Sequence, residues 1–267
     1  MRGLEHKTAI VTGGAASIGA AITEALQAAG VNVVVAARSR DSGTALAERL
    51  GPSVVFQQTD ITQDDQLRRL VDVAVSRFGG IDIVVNNACS YLDKGAASTR
   101  ADWLETLNVN VVSSAILVEM ARSKLAQRGG AVVNLCSISG YAAQTGRWTY
   151  PVSKAAILHL TRQQAMDYAQ DRIRVNSLVA GWTVSDPIRA LSSGDLQKAD
   201  AVAAEFHLLG RLARAGEIAE GVLFLCSDHA SFVTGGELKV EGGYLAMGPE
   251  QAGPAIAKLT GGQATVD

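Results

Sequence analysis

The chain has 267 residues, 48% hydrophobic and 19% charged, which is enough apolar material to bury a core and rules out disorder as its main state. Lys and Arg number 24 against 26 Asp and Glu, a net charge of −2. That balance excludes the basic footprint of a nucleic-acid or anionic-membrane binder. Cys89, Cys136 and Cys226 form no C-x-x-C pair, which argues against a disulfide framework and fits a reducing compartment. His6, His159, His207 and His229 have no metal-ligand spacing, so no metal is expected. No apolar run approaches the roughly 18 residues of a membrane span, and the first seven residues are polar. The expectation is a soluble, cytoplasmic protein with one domain over 1–267.

Taken in chain order, strands and helices alternate. A short apolar strand over 8–11 leads into a glycine-rich turn. Ile18, Ala21, Ile22, Ala25, Leu26 and Ala29 then share one helical face, and Gly30 stops the helix. Strands are expected over 31–36 and 54–58, a helix over 67–78, a strand over 81–85 and one long helix over 102–125. A strand over 131–135, a helix over 150–169 and a strand over 174–179 follow. A helix over 217–226 and a strand over 237–240 close the series. This rhythm predicts a doubly wound α/β fold, a parallel sheet with helices on both faces. The stretch 181–211 breaks the rhythm, and the tail 248–267 is rich in Gly and Ala and weakly specified.

Chemistry gathers at the ends of the strands. The first turn reads Thr12-Gly13-Gly14-Ala15-Ala16-Ser17-Ile18-Gly19. Glycines there let backbone N–H groups approach a phosphate at a helix N-terminus, although an ordinary strand-to-helix turn reads similarly. The second strand ends on Ala37-Arg38-Ser39-Arg40. An NAD site favours an acid at this place, whereas a neutral residue and a base favour the 2′-phosphate of NADP. The plain alternative is that Arg38 is a solvated loop charge. Tyr150 and Lys154 are four residues apart on one helix, so the ammonium reaches the phenol and lowers its pKa from about 10. Asn86-Asn87-Ala88-Cys89, Asn134 to Ser137 and Asn176 to Gly181 place small polar residues after strands four, five and six, where such sheets bind ligands.

These residues resemble the short-chain dehydrogenase/reductase family over nearly the whole chain. The family's glycine motif is matched by Thr12, Gly13, Ser17 and Gly19, and its N-N-A-G motif by Asn86, Asn87, Ala88 and Cys89. The resemblance implies Asn110, Ser137, Tyr150 and Lys154 as the catalytic set. It implies a nucleotide site of Gly13, Ser17, Ile18, Gly19, Arg38, Ser39, Asp60, Ile61, Asn87, Ala88, Gly181, Thr183 and Ser185, with Tyr150 and Lys154 at its nicotinamide end. NADP(H) is the preferred cofactor and NAD(H) the other possibility. Cys89, Ser139, Trp148, Trp182 and Phe206 fall on the substrate side, with Tyr91, Leu208 and Leu209 as further apolar cover of the 181–211 loop. The chain departs from the family at Ser17, Cys89, Ala180 and Glu241, where glycine, glycine, proline and aspartate are usual.

The implied activity is hydride transfer between NADP(H) and a ketone or secondary alcohol, with a small-molecule substrate and a homotetrameric assembly. Ser137 would polarise the carbonyl, Tyr150 protonate the alkoxide, Lys154 lower the tyrosine pKa, and Asn110 anchor a water leading to Lys154. The alternatives are an NAD-dependent alcohol dehydrogenase of the same family and a non-catalytic dinucleotide sensor. The family's enoyl reductases carry their tyrosine farther upstream of the lysine, at the position of Arg147 here.

Overall fold

Seven segments pair edge to edge, and those inside the sheet are largely apolar and covered on both faces. The structure, a computed structural model, describes residues 1–248. Its strands are β1 (Thr8–Thr12), β2 (Asn32–Ala37), β3 (Val54–Gln58), β4 (Ile83–Asn86), β5 (Ala131–Ser137), β6 (Arg174–Ala180) and β7 (Glu237–Val240). All pair in parallel, in the order β3-β2-β1-β4-β5-β6-β7. The order reverses between β1 and β4, which leaves a crevice at the carboxyl ends of those two strands.

The helices are α1 (Ser17–Ala28), α2 (Arg40–Leu50), α3 (Asp64–Phe78), α4 (Arg100–Leu107), α5 (Ser113–Arg128), α6 (Thr149–Tyr168), α7 (Asp186–Leu191), α8 (Leu196–Ala204) and α9 (Ala215–Cys226). Ile22 and Leu26 of α1 pack with Ile218 and Val222 of α9 over one sheet face. Leu67 and Leu70 of α3 and Leu117 and Leu125 of α5 cover the other. The alternation expected from the sequence is thus the architecture observed, and most strand ends move by only one or two residues.

Three elements differ from expectation. Helix α2 was not foreseen; in an eleven-residue helix its buried positions are Gly43 and Leu46 alone, too few for a periodic signal. The long helix over 102–125 is α4 and α5 joined by a π-turn at Asn108–Val112. Within the span Arg100–Arg128 an 18-residue window reaches a mean hydropathy of 1.2, enough by length and composition alone to cross a membrane, yet the inner face of α5 lies in the core described above. The aperiodic stretch 181–211 contains two short helices, α7 and α8. The tail anticipated at 248–267 lies, past Gly248, outside the described residues.

Candidate active site

The glycine turn is shaped for an anion. Gly13 has φ +64°, and a Cβ on Gly19 would sit 2.0 Å from the Gly13 carbonyl oxygen, so only glycine fits at Gly19 without moving the loop. Ala16 caps α1 without a side-chain bond, and the first turn carries no acid. The free N–H groups of that turn therefore face a groove with no built-in partner, the geometry that takes a phosphate. Ser17 sits at φ +48°, a conformation that suits the family's usual glycine better. Its hydroxyl accepts a hydrogen bond from the Asp186 N–H at 3.2 Å and so ties the turn to the start of α7.

Asn87 clamps the same turn, donating through Nδ2 to the carbonyls of Thr12 (3.0 Å) and Gly13 (3.2 Å). Thr12 Oγ1 accepts from the N–H groups of Asn87 and Ala88 at 3.0 and 3.1 Å. A cavity of about 460 Å³ opens here, lined by Gly13, Ser17, Ile18, Gly19, Ala37, Arg38, Asp60, Ile61, Asn87, Ala88, Cys89 and Ser185 among others. Asp60 is shaped by an Asx turn, accepting from the Thr62 N–H at 3.0 Å and its hydroxyl at 2.8 Å. Ser39, grouped with the nucleotide residues in the sequence, is instead the exposed N-cap of α2 and does not line this cavity. The uncapped turn, the glycines and Asp60 together fit the pyrophosphate, ribose and adenine of a dinucleotide.

A second cavity of about 670 Å³ continues from the first, sharing Ile18, Asn87, Cys89, Tyr91 and Ser185. Ser137, Ser139, Tyr150, Lys154, Gly181, Trp182, Thr183 and Phe206 all line it. Lys154 is 5% exposed and donates to the Leu135 carbonyl at 2.8 Å. Its Nζ is 5.6 Å from the centre of the Tyr150 ring. Tyr91 stacks on Tyr150 with ring centres 4.9 Å apart. Ser139 donates its N–H to Ser137 Oγ at 3.2 Å, which orients that hydroxyl. Trp182 and Phe206 pack at 5.4 Å to form an apolar wall.

Burial raises the Tyr150 hydroxyl above the ordinary tyrosine value, and the Lys154 charge and the Ser137 hydrogen bond pull it down without overcoming burial. Burial also works against the Lys154 charge, but Tyr150, Cys89 and Cys136 beside it hold its pKa above the usual lysine value. The resting pair is therefore a neutral phenol beside an ammonium. The sequence reading, in which Lys154 brings the tyrosine down, has the sign of the lysine effect right and misses the larger effect of desolvation.

Asn110 is 2% exposed and lines neither cavity. Its Oδ1 accepts from the Ser90 N–H at 2.6 Å, and its Nδ2 donates to the Ser90 carbonyl (3.1 Å) and to Ser153 Oγ (2.9 Å). Ser153 donates in turn to the Tyr150 carbonyl at 2.7 Å. The side chain thus braces the tyrosine's helix. Trp148 is 51% exposed and, with Leu208 and Leu209, lies off the substrate cavity.

Of the asparagines after the strands, Asn134 is fully buried and donates to Thr161 Oγ1 (3.0 Å) and Gln164 Oε1 (3.2 Å) while accepting from Asn86 Nδ2 (2.8 Å). Asn176 donates to the Val233 carbonyl at 2.8 Å. These two hold β4, β5, α6 and the approach to β7 together rather than facing a ligand.

Asp93 was missed. Its carboxylate accepts from the N–H groups of Trp148 (2.9 Å) and Tyr150 (3.1 Å), satisfying the first turn of α6 and fixing where Tyr150 starts. Burial pushes its pKa up, but the N–H groups of Trp148, Gly95 and Tyr150 outweigh that and leave it below the usual carboxylate value. An aspartate in a loop reads as a turn former, so no sequence signal marked it.

A dinucleotide-shaped groove running into a buried tyrosine–lysine pair at the carboxyl edge of a parallel sheet defines a Rossmann-type oxidoreductase. A family model described as Enoyl-(Acyl carrier protein) reductase matches residues 13–245. The chain belongs to the short-chain dehydrogenase/reductase family. It is 34% identical over 253 residues to a cis-4-hydroxycyclohexanecarboxylate dehydrogenase of Sinomonas cyclohexanicum, covering 91% of this chain and 98% of that one. It is 32% identical to a 2,5-dichloro-2,5-cyclohexadiene-1,4-diol dehydrogenase of Sphingobium indicum, covering 92% and 100%. A solved short-chain type dehydrogenase/reductase from Mycobacterium marinum superposes with a TM-score of 0.83 at 29% identity, covering 90% and 96% of the two chains. The chain is accordingly an oxidoreductase of secondary alcohols and carbonyls, in a family that uses NAD(H) or NADP(H).

Proposed function

We propose that the protein is an NADP(H)-preferring ketone reductase and secondary-alcohol dehydrogenase, in which Tyr150 is the acid and base. The observation that carries the cofactor reading is the end of β2. Ala37 and Arg38 line the nucleotide cavity where an acid would grip a ribose diol, and Arg38 is exposed toward solvent. A guanidinium there is available to a 2′-phosphate. The relatives named as dehydrogenases of hydroxycyclohexanecarboxylate and cyclohexadienediol support a cyclic secondary alcohol or its ketone as substrate.

The nicotinamide, when bound, supplies or accepts the hydride. The chain does the rest. Ser137 and Tyr150 hold the carbonyl oxygen, and Tyr150 gives its hydroxyl proton to that oxygen as charge develops. The buried Lys154 ammonium stabilises the phenolate left behind, and Asn110, through Ser153, keeps the tyrosine's helix in place. The Trp182–Phe206 wall excludes water. The tyrosine stands four residues before the lysine, rather than at Arg147, which favours carbonyl over enoyl chemistry despite the name of the matching family model.

Absorbance at 340 nm with cyclic ketones and NADPH or NADH tests the proposal. Ketone-dependent loss of NADPH faster than of NADH is expected, with the order reversing or levelling in Arg38→Glu. Faster use of NADH by the wild type overturns the cofactor reading. A homotetramer is part of the same proposal. Leu104 (62% exposed), Val112 (48%), Met166 (79%) and Phe232 (103%) leave apolar side chains in solvent, as faces meant to be covered do. Light scattering on the purified protein decides it.

A further inference from the structure

Four arginines among the described residues are half-buried, and three of them are engaged. Arg122 pairs with Asp171 at 2.6 Å, Arg211 with Glu217 at 2.7 Å, and Arg174 donates to the Leu225 carbonyl at 2.8 Å. The fourth is Arg147. It lines the substrate cavity, and its guanidinium lies over the Tyr150 ring, 5.1 Å from the ring centre. Among the described residues none of its guanidinium N–H donors meets a protein acceptor. Asp93, which accepts from the N–H of the adjoining Trp148, is engaged by backbone N–H groups rather than by this side chain.

The cavity's charge points the same way. Among the described residues its charged lining groups are Arg147 and Lys154, and no carboxylate lines it. Lys154 is committed to the tyrosine. Arg147 is left over, partly out of water and without a counter-ion, which is unfavourable unless something supplies one. Stacking on a ring occupies the face of a guanidinium and leaves its edge donors open to a planar anion, which they grip with two hydrogen bonds.

We propose that Arg147 is a carboxylate subsite and that the substrate is a keto acid or the matching hydroxy acid. The reacting carbonyl sits at Ser137 and Tyr150, the carboxylate pairs with Arg147, and a short apolar spacer or ring rests against Trp182 and Phe206. This rests on the reading of the cavity as the substrate site. It makes Arg147 a specificity residue, since it touches the far end of the substrate and not the reacting atoms.

The test separates binding from turnover. Calorimetry of the nucleotide-loaded protein compares cyclohexanecarboxylate with cyclohexanecarboxamide, which have no carbonyl to reduce on the ring. Steady-state assays compare 4-oxocyclohexanecarboxylate with its amide. The wild type is expected to favour the carboxylate by about tenfold or more in both measurements. Arg147→Met is expected to remove that preference, chiefly through KM in turnover, and Arg147→Lys to restore part of it. A thermal melt of each variant verifies folding. Equal binding of acid and amide by the wild type overturns the subsite, as does a loss in Arg147→Met that is the same for both. Carboxylate binding without turnover of any ketone keeps the subsite and overturns the ketone-reductase reading. Turnover of neutral ketones without carboxylate binding does the reverse.

Discussion

The two ends of the groove are built by different means. The nucleotide end is mostly backbone: an uncapped helix start, glycines that admit no Cβ and an asparagine that holds the turn by its carbonyls. The substrate end is mostly side chains, drawn from β5, α6 and the stretch after β6. Backbone sites tolerate little change in shape, whereas side-chain sites tolerate shape changes but depend on each functional group. Damage to the two ends should therefore register in different measurements.

The largest expected effect is at the substrate end. Tyr150→Phe removes the proton donor and should lower kcat by about 10²–10⁴-fold, with nucleotide affinity kept, as a fluorescence titration with NADPH would check. Gly19→Ala should produce the opposite pattern. Its Cβ would collide with the Gly13 carbonyl, so nucleotide affinity should fall at least about tenfold, and denaturant melts should show a loss of roughly 1–3 kcal/mol. If that variant lost turnover and kept nucleotide affinity, the contrast between the two ends would be broken.

Changing pH sharpens the same contrast. Because burial holds Tyr150 above its ordinary value, the protonated form persists through neutral pH. Ketone reduction, which needs that form, should be flat across neutral pH and fall only in alkali. Alcohol oxidation, which needs the phenolate, should rise with pH through the same region. Parallel pH profiles in the two directions check the sign. Asp93→Asn should cost about 1 kcal/mol of stability and lower kcat more than it raises KM, because the start of α6 loosens under the tyrosine. The smallest effect should come from Glu217, which accepts from the Arg211 guanidinium and the Arg214 N–H and is pulled down to about 2. Its contribution is complete above the ordinary carboxylate pKa and is lost as pH falls toward about 2. The side chain is 43% exposed, so solvent screens the pair and Glu217→Gln should cost less than about 1 kcal/mol in a melt.

Much of this was legible in the residues, for identifiable reasons. Strand and helix alternation announces itself through periodicity, and Tyr150 and Lys154 lie one helical turn apart, so local spacing places both in one site. The turn at Thr12 to Gly19 is likewise local. What was hidden depends on distant partners. Asn134 reads like a ligand group at a strand end, but Thr161 and Gln164 of α6 take its amide. Asp93 matters only because the chain returns 55 residues later with unpaired N–H groups at Trp148. Helix α2 buries too little to be periodic, and the π-turn at Asn108–Val112 looks in sequence like uninterrupted helix.

The hydrogen bond from the Asp186 N–H to Ser17 gives the two ends a common joint. The glycine turn shaped for an anion also holds the first residue of α7, inside the stretch whose Trp182 and Phe206 wall the second cavity. Displacing that wall therefore means releasing the turn. Expressed kinetically, this favours compulsory order: the nucleotide enters first and leaves last, and the carbonyl compound comes and goes over a site the nucleotide has already set.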